Sequence, residues 1–348
     1  MTTRGPPLFD LTLGGRTLEG STLRYLVSAE VTESMDELDS LSVQLALPTG
    51  GSEILEFAQP GAAFTVRLGY GDQVLREVAG YIIDVAHTRS TSSPWTVTLR
   101  GVDELYRLKQ MGSPRTWHGS HADIARAIAR KYNLKAHVEE VDGTGDEFQP
   151  NTDDGTLLRQ LARENNYYVR VLNRTLLFRR RNEDDQRATS LSWGKDIDEL
   201  NLTFSIEGIP TEVVVEARDP TQDEVVRARA SRRDLRQIGG GTSGVDRVQR
   251  AFGSVQKVID NAKERTPGRA RARARAELQQ AAERYAKGSV TCPGRPEAVS
   301  GGILRLDGLG QLSGSYHIKQ TRHALEGGGG YRTTIDFGSD SEPTQEDA

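Results

Sequence analysis

The sequence has little cysteine, few aromatic residues and no long apolar run. Its single cysteine, Cys292 among 348 residues, excludes an internal disulfide framework and a thiolate metal cage. Because Cys292 stands beside a Pro-Gly turn, we expect it to be a small turn or core residue rather than a reactive thiol. No stretch reaches the roughly 20 apolar residues of a membrane span, and the N-terminal residues lack the apolar run of a signal peptide. We therefore expect assembly in the cytoplasm.

The overall charge is also small. The formal net charge is −4, with 27% charged residues and 6% aromatic residues. This balance indicates no general attraction to nucleic acid or to an anionic membrane, so any basic function must be local. A chain of this length can form two or three domains, each with its own core.

Sequence motifs that carry chemistry are missing. There is no Walker loop, no G-x-S-x-G elbow and no metalloprotease motif around the spaced histidines His118, His121 and His137. The stretch GLGQLSG has Ser313 where a nucleotide-binding loop needs its third glycine. The sequence therefore predicts no enzyme, no cofactor and no metal site.

The alternation of apolar residues predicts an α+β fold that is mainly β, with two antiparallel, tube-like β-barrel domains, an α/β insert and a helical insert. We place the parts as follows: a first β-barrel at 1–110, an α/β insert module at 111–190, a second β-barrel at 191–337 with a helical insert at about 245–288, and an acidic tail at 338–348. The tail carries four acidic residues and no base. It is typical of a disordered or docking segment.

The insert module begins with a helix that either Ser120 or His121 opens and that Asn133 closes in a left-handed conformation. Apolar residues recur every four positions on one face of this helix: Ile124, Ile128 and Tyr132.

A second helix follows, capped by Asp153 or Asp154, and leads into a hairpin that turns at Asn173-Arg174. Here we predict that Leu157 and Leu161 face the hairpin residues Val169 and Phe178.

An arginine-rich helix lies in the most basic part of the chain, residues 231–290, with 14 Lys/Arg and 6 Asp/Glu. Four arginines recur at every second position, so in a helix they point to two sides, while an apolar stripe runs along another: Ala274, Leu278, Ala281 and Tyr285. This pattern favours contacts with protein over nucleic-acid binding, which is the alternative. The candidate interface residues are in this helix and in the glycine-rich loop 238–244: Arg269, Arg271, Arg273, Arg275, Arg284, Gly239, Gly240 and Gly241.

Four segments, in one order, resemble a known family. They are FTVRLGY with REVAGYIIDVAHT, then QPNTDDGTLLRQLARENNYYVRVLNRTLLFRR, then LSWGKDIDELNLTFSI, and finally the region from AELQQAAERYAKG to GYRTTIDF. This series resembles the baseplate hub proteins of contractile phage tails and contractile injection systems, the late control D and VgrG-like hubs. The resemblance covers nearly the whole chain.

The resemblance implies a structural virion or particle protein that acts as a symmetry adaptor. Three copies would present a ring of six barrels between a six-fold inner tube and a three-fold spike. The implied partners are other copies of this chain, a spike protein, an inner-tube or tube-initiator protein and other baseplate proteins. Since no spike domain follows the last strand, we expect the spike to be a separate protein. The alternatives are a peptidoglycan-acting tail hydrolase and a nucleic-acid-binding module.

Overall fold

The structure is a computed structural model with a mainly β fold, which confirms the predicted α+β class. It describes residues 5–18, 24–47, 56–71, 73–91, 95–109, 112, 114–181, 188–219, 224–237, 239–260, 263–327 and 330–344. Among these residues, no helix combines the length and apolarity that a bilayer crossing needs.

The N-terminal region consists of antiparallel strands whose buried residues alternate with exposed or half-buried ones. The strands are β1 (Pro7–Leu13), β2 (Arg16–Thr17), β3 (Leu26–Ser34), β4 (Ser40–Leu47), β5 (Ala63–Tyr70), β6 (Gln73–Thr88) and β7 (Trp95–Asp103). Their inward side chains form the first hydrophobic core, in which Leu11, Val43, Leu68 and Leu99 are fully buried. Burial of such side chains stabilises the region by about 1.5–3 kcal/mol each.

The described residues of the insert module form two α-helices and two small sheets. Its elements are β8 (Arg115–Gly119), α1 (His121–Lys131), β9 (Lys135–Val138), β10 (Gly145–Gln149), α2 (Asp154–Glu164), β11 (Tyr167–Leu172) and β12 (Thr175–Arg180). Strand β12 pairs antiparallel with β11 and parallel with β9, while β10 pairs with β8.

Local sequence signals in the module are confirmed at its helix ends and turn. Ser120 caps α1 in a capping box with Asp123, and Asp153 caps α2. Asn133 has φ 52°, and the turn residues Asn173 and Arg174 have φ 48° and 57°. Positive φ at both central residues matches the right-handed twist of a hairpin.

The predicted packing of α2 against the hairpin is also confirmed. Leu157, Leu161 and Phe178 are buried in one core, and Val169 packs against it.

In the described part of the C-terminal region there are nine strands and two α-helices. They are β13 (Ala188–Ser192), β14 (Glu199–Phe204), β15 (Glu212–Asp219), β16 (Glu224–Ser231), α3 (Gly244–Phe252), β17 (Gln256–Ile259), α4 (Pro267–Ala282), β18 (Ala286–Pro293), β19 (Ile303–Asp307), β20 (Gly314–Glu326) and β21 (Tyr331–Ser339).

One sheet of 13 strands joins the N-terminal and C-terminal regions. Its main path is β14-β18-β21-β20-β3-β4-β7-β6-β5-β1-β2, with β19 joined to β20 and β13 to β19. The link is the antiparallel pairing of β20 with β3, in which Arg322 lies opposite Thr32. Strands β20 and β21 are long enough to reach the first core, to which the end of β20 contributes Leu325 and the beginning of β21 contributes Tyr331. The two cores therefore lie on one continuous sheet.

The second core lies between this sheet, helix α4 and the three-stranded sheet β16-β15-β17. Val213, Val215 and Leu278 are fully buried there. Cys292 is also fully buried, as predicted, and burial raises the pKa of its thiol to about 12.

The predicted helical insert requires a correction. The segment forms two helices with the strand β17 between them, and Ala286 already begins β18. The β-branched pair Val258-Ile259 fits the parallel pairing with β15.

The acidic tail is a second correction, because its described part belongs to the folded body. Strand β21 continues through Gly338 to Ser339, while Asp340 and Ser341 are fully buried. Ser341 also forms a β-bridge with Ser243. The backbone pairing of these residues is more favourable than the cost of placing their acidic side chains in the folded body. Residues 345–348 lie outside the described residues.

Candidate interaction surface

Helix α4 forms because its sequence is rich in alanine and begins with Pro267, a residue suited to the first turn of a helix. Its small buried side chains let the helix approach strands β15 and β16 closely. They include Ala270, Ala274 and Ala282, each fully buried. The arginines between them diverge from one another, as the period of two predicts.

Arg269, a candidate interface residue, makes its contacts within the chain. Its side chain is 5% exposed and binds backbone oxygens of the insert module. The guanidinium donates to the carbonyl oxygens of Gly119 at 2.8 Å, Gly145 at 3.0 Å and Asp146 at 3.0 Å. Arg269 therefore joins α4 to the module inside the chain.

A charged cluster surrounds this contact and consists of His121, Glu147, Glu164, Lys263 and Arg269. The ammonium of Lys263 lies 2.5 Å from Glu147 and 2.8 Å from Glu164. Although burial alone would raise it, the nearby His121 ring and the Lys263 ammonium hold the pKa of Glu147 below its usual value. We call this group the junction cluster.

The junction cluster also bears on the prediction of no metal site. Within the described ranges, the ligand atoms of His121, Glu147 and Glu164 lie within 4.8 Å of one another. The Lys263 ammonium occupies the position between the two carboxylates where a cation would bind. Asn165 Nδ2 lies 2.7 Å from His121 Nδ1 and donates to it, so the ring proton is on Nε2, facing Glu147. The arrangement is an internal ion-pair cluster.

The other candidate arginines lie nearer the surface. Arg271 is exposed, and Arg273 pairs with Glu277 on the same helix at 2.8 Å. Arg275 binds Asp234 at 3.1 Å, and Arg284 is exposed just after the helix.

The glycine-rich loop, a candidate interface, contacts the C-terminal residues of its own chain. The amide of Gly239 donates to Ser341 Oγ at 2.9 Å, and Ser341 Oγ donates back to the Gly239 oxygen at 2.9 Å. The Gly241 amide donates to the Glu342 oxygen at 2.9 Å. A Cβ at Gly239 or Gly241 would lie 2.7 Å from that oxygen, so close approach requires glycine. Gly240 is exposed.

A cleft of about 1000 Å³ lies between α2, the end of α4 and the sheet near β14. Five basic side chains line it: Arg163, Arg181, Arg284, Lys287 and Lys319. Three acidic side chains share it: Asp36, Glu283 and Asp336. We call it the basic cleft.

Two of the acids in the basic cleft are already neutralised by bases. Asp36 pairs with Arg181, and Glu283 pairs with Lys319. Burial alone would raise their pKa values, but these partners hold the pKa of each carboxyl below its ordinary value. In the described part of the chain, Arg163, Arg284 and Lys287 make no side-chain hydrogen bond or ion pair, so the cleft presents positive charge.

A smaller cleft of about 370 Å³ lies on the other side of Arg181. It brings Arg275 near Arg233 and Arg236, with Asp234 and Asp142 among them. Because Arg275 already binds Asp234, the positive charge of this smaller cleft is partly used within the chain.

A buried group around Arg170 fixes the module to both cores. Arg170 of β11 contacts Asp39 at 3.4 Å and lies 4.0 Å from Glu33 of β3, and it also donates to the Ser300 hydroxyl. Although burial alone would raise it, Arg76 and Arg170 hold the pKa of Glu33 below its usual value.

Two carboxyl groups near Arg170 have raised pKa values, unlike Glu33. Burial, reinforced by Glu33 and Asp103 and opposed by Arg170, raises the pKa of Asp39 to about 7. Burial also raises the pKa of Asp103 to about 6. The Asp39 carboxyl accepts from the Ser34 amide at 3.0 Å and the Asp103 carboxyl accepts from the Asp39 amide at 2.9 Å, so both side chains serve the fold.

Sequence reasoning missed Arg170, Lys263, Arg163, Arg181 and Lys319. Arg170 had a signal, because it interrupts the apolar residues of β11 at an inward position. The others are single basic residues on elements that are far apart in sequence, and only the tertiary fold brings them together.

The fold is shared with solved structures of tail proteins. The 43 kDa tail protein of prophage MuSo2 from Shewanella oneidensis has 16% identity and a TM-score of 0.67, covering 95% of this chain and 98% of that one. The tail protein from Neisseria meningitidis MC58 has 13% identity and a TM-score of 0.68, covering 96% and 97%. The Escherichia coli c3393 protein, a component of the type VI secretion system, has 11% identity and a TM-score of 0.55, covering 92% and 74%.

At these identities the likeness concerns the fold. No curated protein matches the sequence of this chain. A family model does match, over residues 51–327, which span strands β5 to β7, the α/β module and the C-terminal region as far as β20. The chain belongs to the Alg8 N-terminal domain family.

Proposed function

We propose that this chain is a structural hub in the baseplate of a contractile phage tail or contractile injection system. Three copies form a ring that joins a hexameric inner tube to a trimeric spike. The chain is assembled in the cytoplasm and becomes part of the particle. The observation that carries this proposal is the shared fold with tail proteins over nearly the whole chain, including both cores and the module.

The sheet supports the geometric part of the proposal. Each chain has two β regions, one around each core, and the pairing of β3 with β20 holds them side by side. Three chains with two such regions each give six positions around an axis. A cyclic trimer can thus match a six-fold tube on one side and a three-fold spike on the other.

A site for contact between copies is at strand β17, an edge of its small sheet. The side chain of Phe252 is 69% exposed and that of Val258 is 49% exposed. Exposed apolar residues beside an open strand edge are costly in water and favour an interface. Contacts with other baseplate proteins involve the exposed Arg271, Arg275 and Arg284.

A cell-wall hydrolase is the alternative, and it needs a carboxylic acid that is exposed to substrate and protonated near neutral pH. In the basic cleft, Asp36 and Glu283 have lowered pKa values and are paired with bases. Asp39 and Asp103 have raised pKa values, but they are buried in the group around Arg170. These positions favour a structural role.

Light scattering on the purified chain, alone and with tube and spike proteins, tests the proposal. A trimer has a mass of about 115 kDa, three times the 38.3 kDa subunit. Since ring closure can require a partner, the mixture with partners is the deciding sample. A chain that stays monomeric with both partners present would contradict the proposed ring.

A further inference from the structure

The basic cleft has charge that the chain itself does not use. Arg181 and Lys319 are paired with acids of the cleft, whereas Arg163, Arg284 and Lys287 project without a partner among the described residues. The three come from the end of α2, the end of α4 and strand β18. Their convergence around one cavity provides a site for an acidic ligand.

The floor of the cleft is the face of the 13-stranded sheet. Thr203, Lys287 and Gly338 form one row across β14, β18 and β21, and Asn201, Ser289 and Asp336 form the next. A Cβ at Gly338 would lie 3.3 Å from Lys319 Cε, so glycine there gives the Lys319 side chain room to reach Glu283. The cleft is therefore a shallow channel that ends at β14.

Strand β14 is the last strand on the main path of this sheet, so one side of its backbone is open. The Ser205 amide donates to the Tyr285 oxygen at 2.8 Å in register with the β14–β18 pairing. In an antiparallel ladder, only alternate residues exchange bonds with one neighbour. The backbone groups of Leu200, Leu202 and Phe204 thus face the open edge.

These features together distinguish a peptide from a nucleic acid. An open strand edge can pair with an extended peptide but offers no matching pattern to a phosphate backbone. Carboxylates on alternate residues of a paired strand lie on one face of it, where they can meet the basic side chains of the cleft.

We propose that the basic cleft binds an extended segment of a partner protein that is rich in aspartate and glutamate. The segment adds to the open edge of β14, and its carboxylates contact Arg163, Arg284 and Lys287. This binding belongs to a single chain and does not depend on the proposed trimer.

Fluorescence anisotropy with a labelled peptide of alternating glutamate and threonine tests the proposal on the full chain. The peptide is compared with its glutamine version and with a single-stranded oligothymidine of equal charge. We expect binding of the glutamate peptide that weakens with salt, and weaker binding of the other two. Oligothymidine that binds as tightly as the glutamate peptide would overturn the peptide proposal in favour of nucleic acid.

Matched variants locate the binding. R284E with K287E reverses two charges in the cleft, and R250E with R305E reverses two exposed charges outside it. The cleft variant should bind the glutamate peptide about tenfold more weakly, and the control within about twofold of the native chain. Equal effects of the two variants would overturn the cleft assignment, and circular dichroism checks that both variants fold.

A peptide in which proline replaces each threonine keeps the charge but cannot pair as a strand. It should bind clearly more weakly than the threonine peptide, and equal binding would overturn the addition to β14. If the native chain forms trimers but binds none of these peptides, the result contradicts this proposal and leaves the hub proposal intact.

Discussion

The guanidinium of Arg269 donates to the carbonyl oxygen of Gly119, 2.8 Å away, across 150 positions of sequence. Gly119 precedes the cap of α1, so a residue of α4 holds the beginning of the module. The same guanidinium reaches two carbonyl oxygens around β10. The module is thereby tied to the second core, and load on one can pass to the other without a flexible linker.

Replacing Arg269 with alanine should destabilise the chain by about 2–4 kcal/mol, because three carbonyl oxygens and Glu147 lose a buried donor. Chemical denaturation gives the free energy of unfolding. R271A, on the exposed side of the same helix, is the control and should change it by less than about 0.5 kcal/mol. Similar values for the two variants would mean that the Arg269 contacts are energetically unimportant.

Leu161→Ala should lower the free energy of unfolding by about 2–5 kcal/mol, since Leu161 is fully buried between α2 and the hairpin. Leu312→Ala removes the same atoms from a side chain that is 38% exposed, and should cost clearly less. A melting temperature unchanged by Leu161→Ala would show that the helix face has been assigned wrongly.

Asp39 should give the stability a distinctive pH dependence. Its folded-state pKa of about 7 lies above the ordinary aspartate pKa of 3.8, so between these values the folded chain holds a proton that the unfolded chain releases. This contribution stabilises the fold at the acid end and is lost as the pH rises through about 7. Glu33, whose pKa is lowered, contributes in the opposite direction, so only a comparison of variants isolates Asp39.

The test compares Asp39→Asn with the native chain over this range of pH. Asparagine resembles the protonated acid, so the variant should gain stability relative to the native chain as the pH rises. Asp84→Asn, at an exposed position, is the matched control variant. A stability difference for Asp39→Asn that stays constant, or falls with pH, would contradict the buried-acid account.

Local elements of the fold follow from the sequence because their signals are short in range. The capping box of Ser120 and Asp123, the left-handed Asn133 and the Asn173-Arg174 turn depend on neighbouring residues alone. The apolar face of α2 likewise follows from the helical period.

Long-range pairing could not be predicted in the same way. Nothing in the sequence near Arg269 indicates that it contacts Gly119. The acidic residues within 340–344 do not predict the β-bridge and hydrogen bonds that these residues form with the glycine-rich loop. The parallel strand β17 is four residues long, which is too short for a periodic signal. The basic cleft combines α2, β18 and β20, so it exists only once the module has docked.

The central claim is that three copies of this chain form the ring between tube and spike. A cryo-electron microscopy map of the assembled particle measures this directly. The account predicts three copies around the axis, with each copy placing its two β regions at adjacent positions of a six-membered ring. Six copies in one ring, a single copy on the axis, or a particle without this chain would contradict it.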